Sequence, residues 1–237
     1  MDEDLTFKRH QLCWSDPLKV GGREFPVDHI FKTLKPMMTD ERLQRLDQVV
    51  SNRSLHLVSV LENIYDRGNV SAVMRSFEAF GYMRMHLIDQ PGAKFKAANR
   101  VTKGAEKWLD VHTHPGVGEA VRALRQDGFQ IWATDLNTQA SIENIDWSKP
   151  TAIVLGNEKD GVSEALKREV DGCFRVPMLG FSQSFNISVA ASLIFYHAHL
   201  ALQILPRQAR VDDKQKRQIL ANYFLRCFDN PEKLLAL

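Results

Sequence analysis

The stretch Leu179–Tyr196, LGFSQSFNISVAASLIFY, decides how the rest of the chain is read. A glycine and small polar residues run directly into Ile187, Val189, Ala190, Ala191, Leu193, Ile194 and Phe195, a segment apolar on every side of a helical wheel. A helix of that kind is expected to be buried. Ser184 or Asn186 is placed to cap it, which leaves free backbone N–H groups beside a small-residue loop deep in the structure. A plain capped core helix fits the same pattern, so the stretch is weighed with two others.

The first is Glu62–Arg75, ENIYDRGNVSAVMR. It follows a strand-like run (Leu55, Leu57, Val58, Val60, Leu61) and leads into the helical spacing of Val70, Val73, Met74 and Phe77. Asn69 stands where an N-cap is wanted, with Arg75 six residues on. The second is Ile153–Ser163, IVLGNEKDGVS, where a short strand ends at Gly156, a turn carries Asn157 to Gly161, and Ser163 caps the next helix. Each loop alone is ordinary turn chemistry. Polar loops at the carboxyl ends of parallel strands are, however, where open α/β sheets bind ligands.

Working outward, the pattern predicts strands at 55–61, 83–88, 129–134, 151–155 and 173–177 and helices at 70–80, 117–127, 162–169 and 187–204. Such alternation gives a three-layer α/β domain on a mainly parallel sheet. Residues up to about Met38 carry Gly21-Gly22 and three prolines with little periodicity, and read as an extension wrapped on the surface. Leu43, Leu46 and Val50 mark a helix within 39–53, and Ile219, Leu220, Tyr223 and Phe224 a stripe near 213–227 that must pack on something. The expected organisation is 1–53 as N-terminal extension and helix, 54–205 as the α/β domain, and 206–237 as a C-terminal helical extension.

Composition limits the functions without choosing one. With 31 basic against 29 acidic residues in 237, no global positive field announces a nucleic acid, so any RNA footprint is local. The best candidate is Lys94–Lys107, which holds Lys96, Arg100 and Lys103; a solvated loop and helix face reads equally well, and Arg207–Arg217 is a second modest excess. Three scattered cysteines without a C-x-x-C pair argue against a disulfide framework or a zinc site. No apolar run reaches the roughly 18 residues of a membrane span, and MDEDLTFKRH is no leader, so a cytoplasmic protein is expected. A dinucleotide fingerprint, a P-loop and a zincin motif are all absent. His197 and His199 lie two apart on a helix, hence on different faces, and no metal is expected.

Together the three segments resemble the motifs of the SpoU–TrmH branch of the SPOUT RNA methyltransferases. Asn69-x5-Arg75 is similar to the first motif and Leu155-Gly-Asn-Glu-Lys-x-Gly161 to the second. Val176-Pro-Met-Leu-Gly180 through Ser184-Phe-Asn186-x-Ser188 is similar to the third. The likeness runs from about Arg42 to His199. It implies transfer of a methyl group from S-adenosylmethionine to a ribose 2′-hydroxyl of RNA, a C-terminal deep trefoil knot, and a homodimer whose site is shared between subunits, with helix 187–204 at the interface.

The same resemblance assigns residues. Asn69, Arg75, Glu158, Ser184 and Asn186 are the catalytic set, with Glu158 against Arg75 or the ribose. Thr134, Gly156, Val176, Met178, Leu179 and Phe185 hold the cofactor, largely through backbone. Arg45, with Lys96, Arg100 and Lys103, meets RNA phosphate. For Arg75 two roles stay open, phosphate ligand or proton acceptor, beside a plain helix residue paired with Glu78 or Glu158. A guanidinium is normally too basic for the second role. One departure bears on the substrate. The tRNA guanosine methyltransferases continue the third-motif helix into an arginine-rich segment, whereas this chain has His197-Ala-His199-Leu200-Ala-Leu202. The layout still points to tRNA as substrate. A 2′-O-methyltransferase acting on ribosomal RNA or on another tRNA nucleotide, and a catalytically silent RNA-binding relative, remain the alternatives.

Overall fold

The computed structural model describes residues 11–88, 102, 104–203 and 211–236. It divides into two compact units, one of Met1–Arg53 with Arg210–Leu237, the other Ser54–Ala209.

The larger unit is built on a six-stranded sheet. In chain order its elements are β3 (Leu57–Glu62), α3 (Arg67–Ala79), β4 (Arg84–Ile88), β5 (Asp110–His114), α4 (Val117–Gln126) and β6 (Gln130–Thr134). They continue with β7 (Thr151–Leu155), α5 (Glu164–Lys167), β8 (Gly172–Phe174) and α6 (Ile187–Gln203). All pairings are parallel, in the order β5-β4-β3-β7-β6-β8. The central strands are buried on both faces, which is why they read as continuous apolar runs. Alternation still sorts their side chains. Leu57, Leu61, Ile153 and Leu155 enter the core beneath α3 and α6, while Val58, Val60, Ala152 and Val154 enter the one beneath α4. α3 is joined to α6 by the edge-to-face pair Phe77–Phe195 at 5.0 Å and by Ser192 Oγ donating to Ser76 Oγ at 2.8 Å.

The chain moves outward from β3 through β4 to β5, then crosses and returns on the other side of β3. Adjacent strands β3 and β7 therefore send their connections in opposite directions. With Leu61 in register with Leu155, the loops after both strands open side by side at the carboxyl edge, the usual ligand position in an open α/β sheet.

The smaller unit corrects the expected surface wrap. It contains a hairpin of β1 (Leu18–Val20) and β2 (Arg23–Phe25), then α1 (Val27–Leu34), α2 (Asp40–Ser51), α7 (Asp213–Arg226) and α8 (Pro231–Leu235). Gly21 and Gly22, at φ 57° and 79°, form the two-residue hairpin turn. The stripe on α7 does pack: Ile219, Tyr223 and Phe224 are buried, and Phe224 meets Phe31 edge-to-face at 5.1 Å. The Asn222 amide accepts from Cys13 N–H at 2.8 Å and donates to Cys13 O at 2.9 Å, as a neighbouring strand would. Buried Arg53 donates to the Tyr223 hydroxyl at 3.1 Å.

Three further differences concern elements. β5 was not anticipated, β8 is shorter than 173–177, and α5 is shorter than 162–169. The larger correction is α6. It buries Ile187, Ala191, Ile194, Phe195 and Ala198, but Val189, Leu193, Tyr196 and Leu200 are each more than two-fifths exposed. The helix is thus apolar all round without being covered all round by its own chain. Among the described residues no helix is long and apolar enough to cross a membrane.

Candidate active site

Three loops meet at the carboxyl edge: 63–66 after β3, 156–163 after β7 and 175–186 after β8. The first leads into α3, whose N-cap is Asp66, its carboxylate accepting from Gly68 N–H at 2.7 Å. Asn69, expected as the cap, lies inside the first turn, which frees its amide to face the other loops. Asn186 rather than Ser184 caps α6: its Oδ1 accepts from Ser188 N–H at 2.9 Å and from Ser188 Oγ at 2.6 Å.

These caps fix the direction of a hydrogen-bond chain. Because a backbone N–H can only donate, the Asn186 oxygen must face Ser188 and its nitrogen must point away. That nitrogen donates to Asn69 Oδ1 at 3.1 Å, so Asn69 turns its own nitrogen to Glu158 Oε1 at 2.8 Å. Glu158 Oε2 takes the Tyr65 N–H at 3.2 Å. An ionised carboxylate offers a free acceptor oxygen to each. Burial pushes the Glu158 carboxyl up, but hydrogen bonds from Asn69 and from backbone amides outweigh it and hold the group below its ordinary value. The three motifs are thereby joined as Asn186 to Asn69 to Glu158.

Other expected members stand differently. Arg75 is exposed, and among the described residues it makes no hydrogen bond or ion pair. Glu158 therefore does not pair with Arg75, and Glu78 does not either. Six residues are about one and two-thirds helical turns, so Arg75 leaves α3 from another face than Asn69. Ser184 is exposed in the third loop and outside the chain of amides.

Gly156 is glycine for a reason the sequence reading missed. A Cβ there would lie 2.0 Å from Gly161 C and 2.1 Å from Val162 N, so the space is taken by the turn itself. That turn is closed by Asn157 N–H to Gly161 O at 3.1 Å and the reverse bond at 3.0 Å. Asn157 Oδ1 takes the N–H groups of Lys159 and Asp160. Glu62, at 2% exposure, accepts from Ser163 N–H at 2.8 Å and Ser163 Oγ at 2.6 Å, clamping the first loop to the second. The sequence pattern gave no role to Glu62 or to the Tyr65 amide. A carboxylate ending an otherwise apolar strand was the available signal for Glu62.

The expected cofactor residues lie on neighbouring loops. Thr134 ends β6 and donates through Oγ1 to Val154 O at 3.2 Å. Val176, Met178, Leu179 and Phe185 are on the third loop, with Leu179 fully exposed and Phe185 partly so. Among the described residues no backbone N–H or C=O from Val176 to Phe185 makes a backbone hydrogen bond. A loop of unpaired donors and acceptors suits recognition of a polar heterocycle by main chain. That property fits a nucleoside cofactor held as the resemblance implies.

Of the expected RNA contacts, Arg45 is exposed on α2 and donates to Gln48 Oε1 at 3.0 Å. Lys96, Arg100 and Lys103 lie outside the described residues. Arg217, in the second basic segment, is engaged with Asp28 and over the Phe31 ring. His197 packs near Trp147 and His199 near Phe80, and no cluster of metal-binding side chains occurs among the described residues.

Comparison with known proteins agrees with this geometry. A model of the SpoU rRNA Methylase family matches residues 56–196, the span that holds all three loops. The tRNA (guanosine(18)-2′-O)-methyltransferase of Thermus thermophilus is 35% identical over 189 residues, covering 78% of this chain and 96% of that protein. The Escherichia coli enzyme of the same name is 34% identical over 162 residues, covering 68% and 70% respectively. The crystal structure of the A. aeolicus TrmH/SpoU tRNA modifying enzyme superposes with a TM-score of 0.71 at 30% identity, covering 78% of this chain and 96% of that one. The chain belongs to the SpoU methylase family.

Proposed function

We propose that this protein methylates the ribose 2′-hydroxyl of a guanosine in tRNA, with S-adenosylmethionine as donor, as the names of its relatives indicate for those proteins. The observation that carries the reading is the single-direction hydrogen-bond chain from Asn186 through Asn69 to ionised Glu158. The cofactor supplies an electrophilic methyl group on a sulfonium sulfur. Thr134, the Gly156 turn and the backbone of Val176, Met178, Leu179 and Phe185 would hold it.

The chain's own contribution is chiefly positioning, which is a large term when two reactants must be brought into line. A ribose hydroxyl is a poor nucleophile at neutral pH. Asn69 and Asn186 present amides of fixed polarity that orient it, and Glu158 keeps them so. Ser184 lines the same loop. A guanidinium is normally too basic to accept a proton, so Arg75 is assigned the adjacent phosphate. Arg45, with Lys96, Arg100 and Lys103, would meet other RNA phosphates.

Homodimer formation and the trefoil knot belong to the same proposal. The exposed apolar stripe Val189, Leu193, Tyr196 and Leu200 on α6 is the face that supports a partner copy. Leu193 and Arg75 each adjoin the Ser192–Ser76 hydrogen bond. Pairing of two copies through this face brings Arg75 to the interface, which accounts for its distance from the amide chain within one subunit. The third loop and α6 are the segment that would thread the knot, where small residues let chains cross closely.

The test is incubation with methyl-labelled cofactor and either bulk tRNA or ribosomal RNA. Label in tRNA alone is expected. Label in ribosomal RNA alone would move the substrate, and cofactor binding without transfer would make the protein a silent relative.

A further inference from the structure

One aromatic side chain beside the amide chain stands largely in water. The loop 63–66 is fixed at three points. Asn63 holds φ at 51°, a region few non-glycine residues adopt, and its N–H donates to Ile88 O at 2.9 Å. Tyr65 N–H is tied to Glu158, and Asp66 caps α3. Yet Tyr65 is 63% exposed, and its ring meets no other ring among the described residues. A rigid backbone thus holds a bare aromatic face in water, four residues before Asn69 and on the carboxylate that orients it.

Resting on the proposed reaction, we propose that Tyr65 is the platform on which the base of the methylated nucleotide stacks. In this proposal the ribose whose hydroxyl reaches Asn69 carries its base out of the RNA stack, and an unstacked base loses a partner for its π-face. Aromatic side chains replace that partner without reading sequence. Because the loop is already fixed, the ring is presented with little ordering cost on binding. The face acts and the hydroxyl does not.

The test uses the full-length protein and a tRNA transcript methylated by the wild type at a mapped position. Tyr65→Leu keeps apolar bulk but removes the flat face. It should raise KM for tRNA roughly 5- to 150-fold, the range expected for one stacked base, with kcat at saturating tRNA within about twofold and cofactor affinity unchanged. Tyr65→Phe and Tyr65→Trp should restore KM. With 2-aminopurine at the mapped position, bound Tyr65→Leu should fluoresce more brightly than bound wild type, since the ring that quenches the extruded base is gone. Equal KM and emission in Tyr65→Leu would overturn the assignment, as would a loss confined to kcat or a Tyr65→Phe variant as impaired as Tyr65→Leu. A wild-type protein that methylates no RNA would overturn the enzymatic reading itself, a result distinguishable from any of these.

Discussion

Replacing Gly156 with alanine places a single methyl group where the second-motif turn already runs. The added Cβ would stand 2.0 Å from Gly161 C, 2.1 Å from Gly161 O and 2.1 Å from Val162 N, against the 3.4 Å at which ordinary contact begins. All three neighbours are backbone, so no side chain can swing away. The turn must retreat by more than an ångström, which breaks the reciprocal Asn157–Gly161 bonds and pulls Glu158 from Asn69. Overpacking of this kind costs about 1–3 kcal/mol, and each lost hydrogen bond about 1 kcal/mol net. A total of about 4–6 kcal/mol should lower the melting temperature by roughly 8–24 °C in a chain of this size. Calorimetric melting, paired with methyl-transfer rates, measures both consequences. Gly161→Ala is the control: it has open space and only the cost of φ 71°, about 1–2 kcal/mol, so its shift should be smaller. A Gly156→Ala protein melting within 2 °C of wild type would refute the close-packing argument.

Arg75→Ala should lower kcat at least tenfold, about 1.4 kcal/mol of transition-state stabilisation, while melting and cofactor affinity stay at wild-type values; residual activity above a tenth would remove it from the site. Glu158→Gln offers one oxygen to two donors, so turnover should fall while stability, at this exposed position, changes by less than about 1 kcal/mol; unchanged kcat would deny the carboxylate its role. Glu158 titrates below its ordinary value, so its support is present above about pH 4.5 and is lost as pH falls through its folded-state pKa, and activity should follow. His86 is driven down to about 3 by burial and by His112 and His114. The unfolded chain then binds the extra proton between about pH 6.5 and 3, and stability should decline by about 1.4 kcal/mol per pH unit on acidification through that window. Removing the ring in His86→Leu should flatten that slope, and an unaltered slope would assign it elsewhere. Charge removal at Arg45, Lys96, Arg100 and Lys103 should weaken tRNA binding and reduce the salt slope by about one unit per phosphate contact, with cofactor affinity intact.

The elements that were legible share one property: their hydrophobic period agrees with their burial. β3 and β7 are apolar on both faces and were read within two residues. β5 was missed because one of its faces is Asp110, His112 and His114, polar residues that are acceptable there only because they stack on His86 and pair with Arg84. The β1–β2 hairpin carried a readable signal in Gly21-Gly22, but strands of three residues leave almost no period. For α6, hydrophobicity reports the need for cover and not which molecule provides it. In the candidate site, motif order singled out Asn69, Glu158 and Asn186, which hydrogen bonds join. Their bonding was not legible: that Glu158 meets Asn69 and not Arg75, and that Asn69 meets Asn186, depends on contacts 89 and 117 residues apart in sequence.

The most direct test of the central claim is to digest tRNA after reaction with the purified protein and labelled S-adenosylmethionine, and to identify the modified nucleoside and its position by mass spectrometry. The expected product is 2′-O-methylguanosine at one position of tRNA, the guanosine 18 for which the relatives are named, with none from Arg75→Ala. A methyl group on a base, or no methyl transfer by a protein that binds the cofactor, would contradict it.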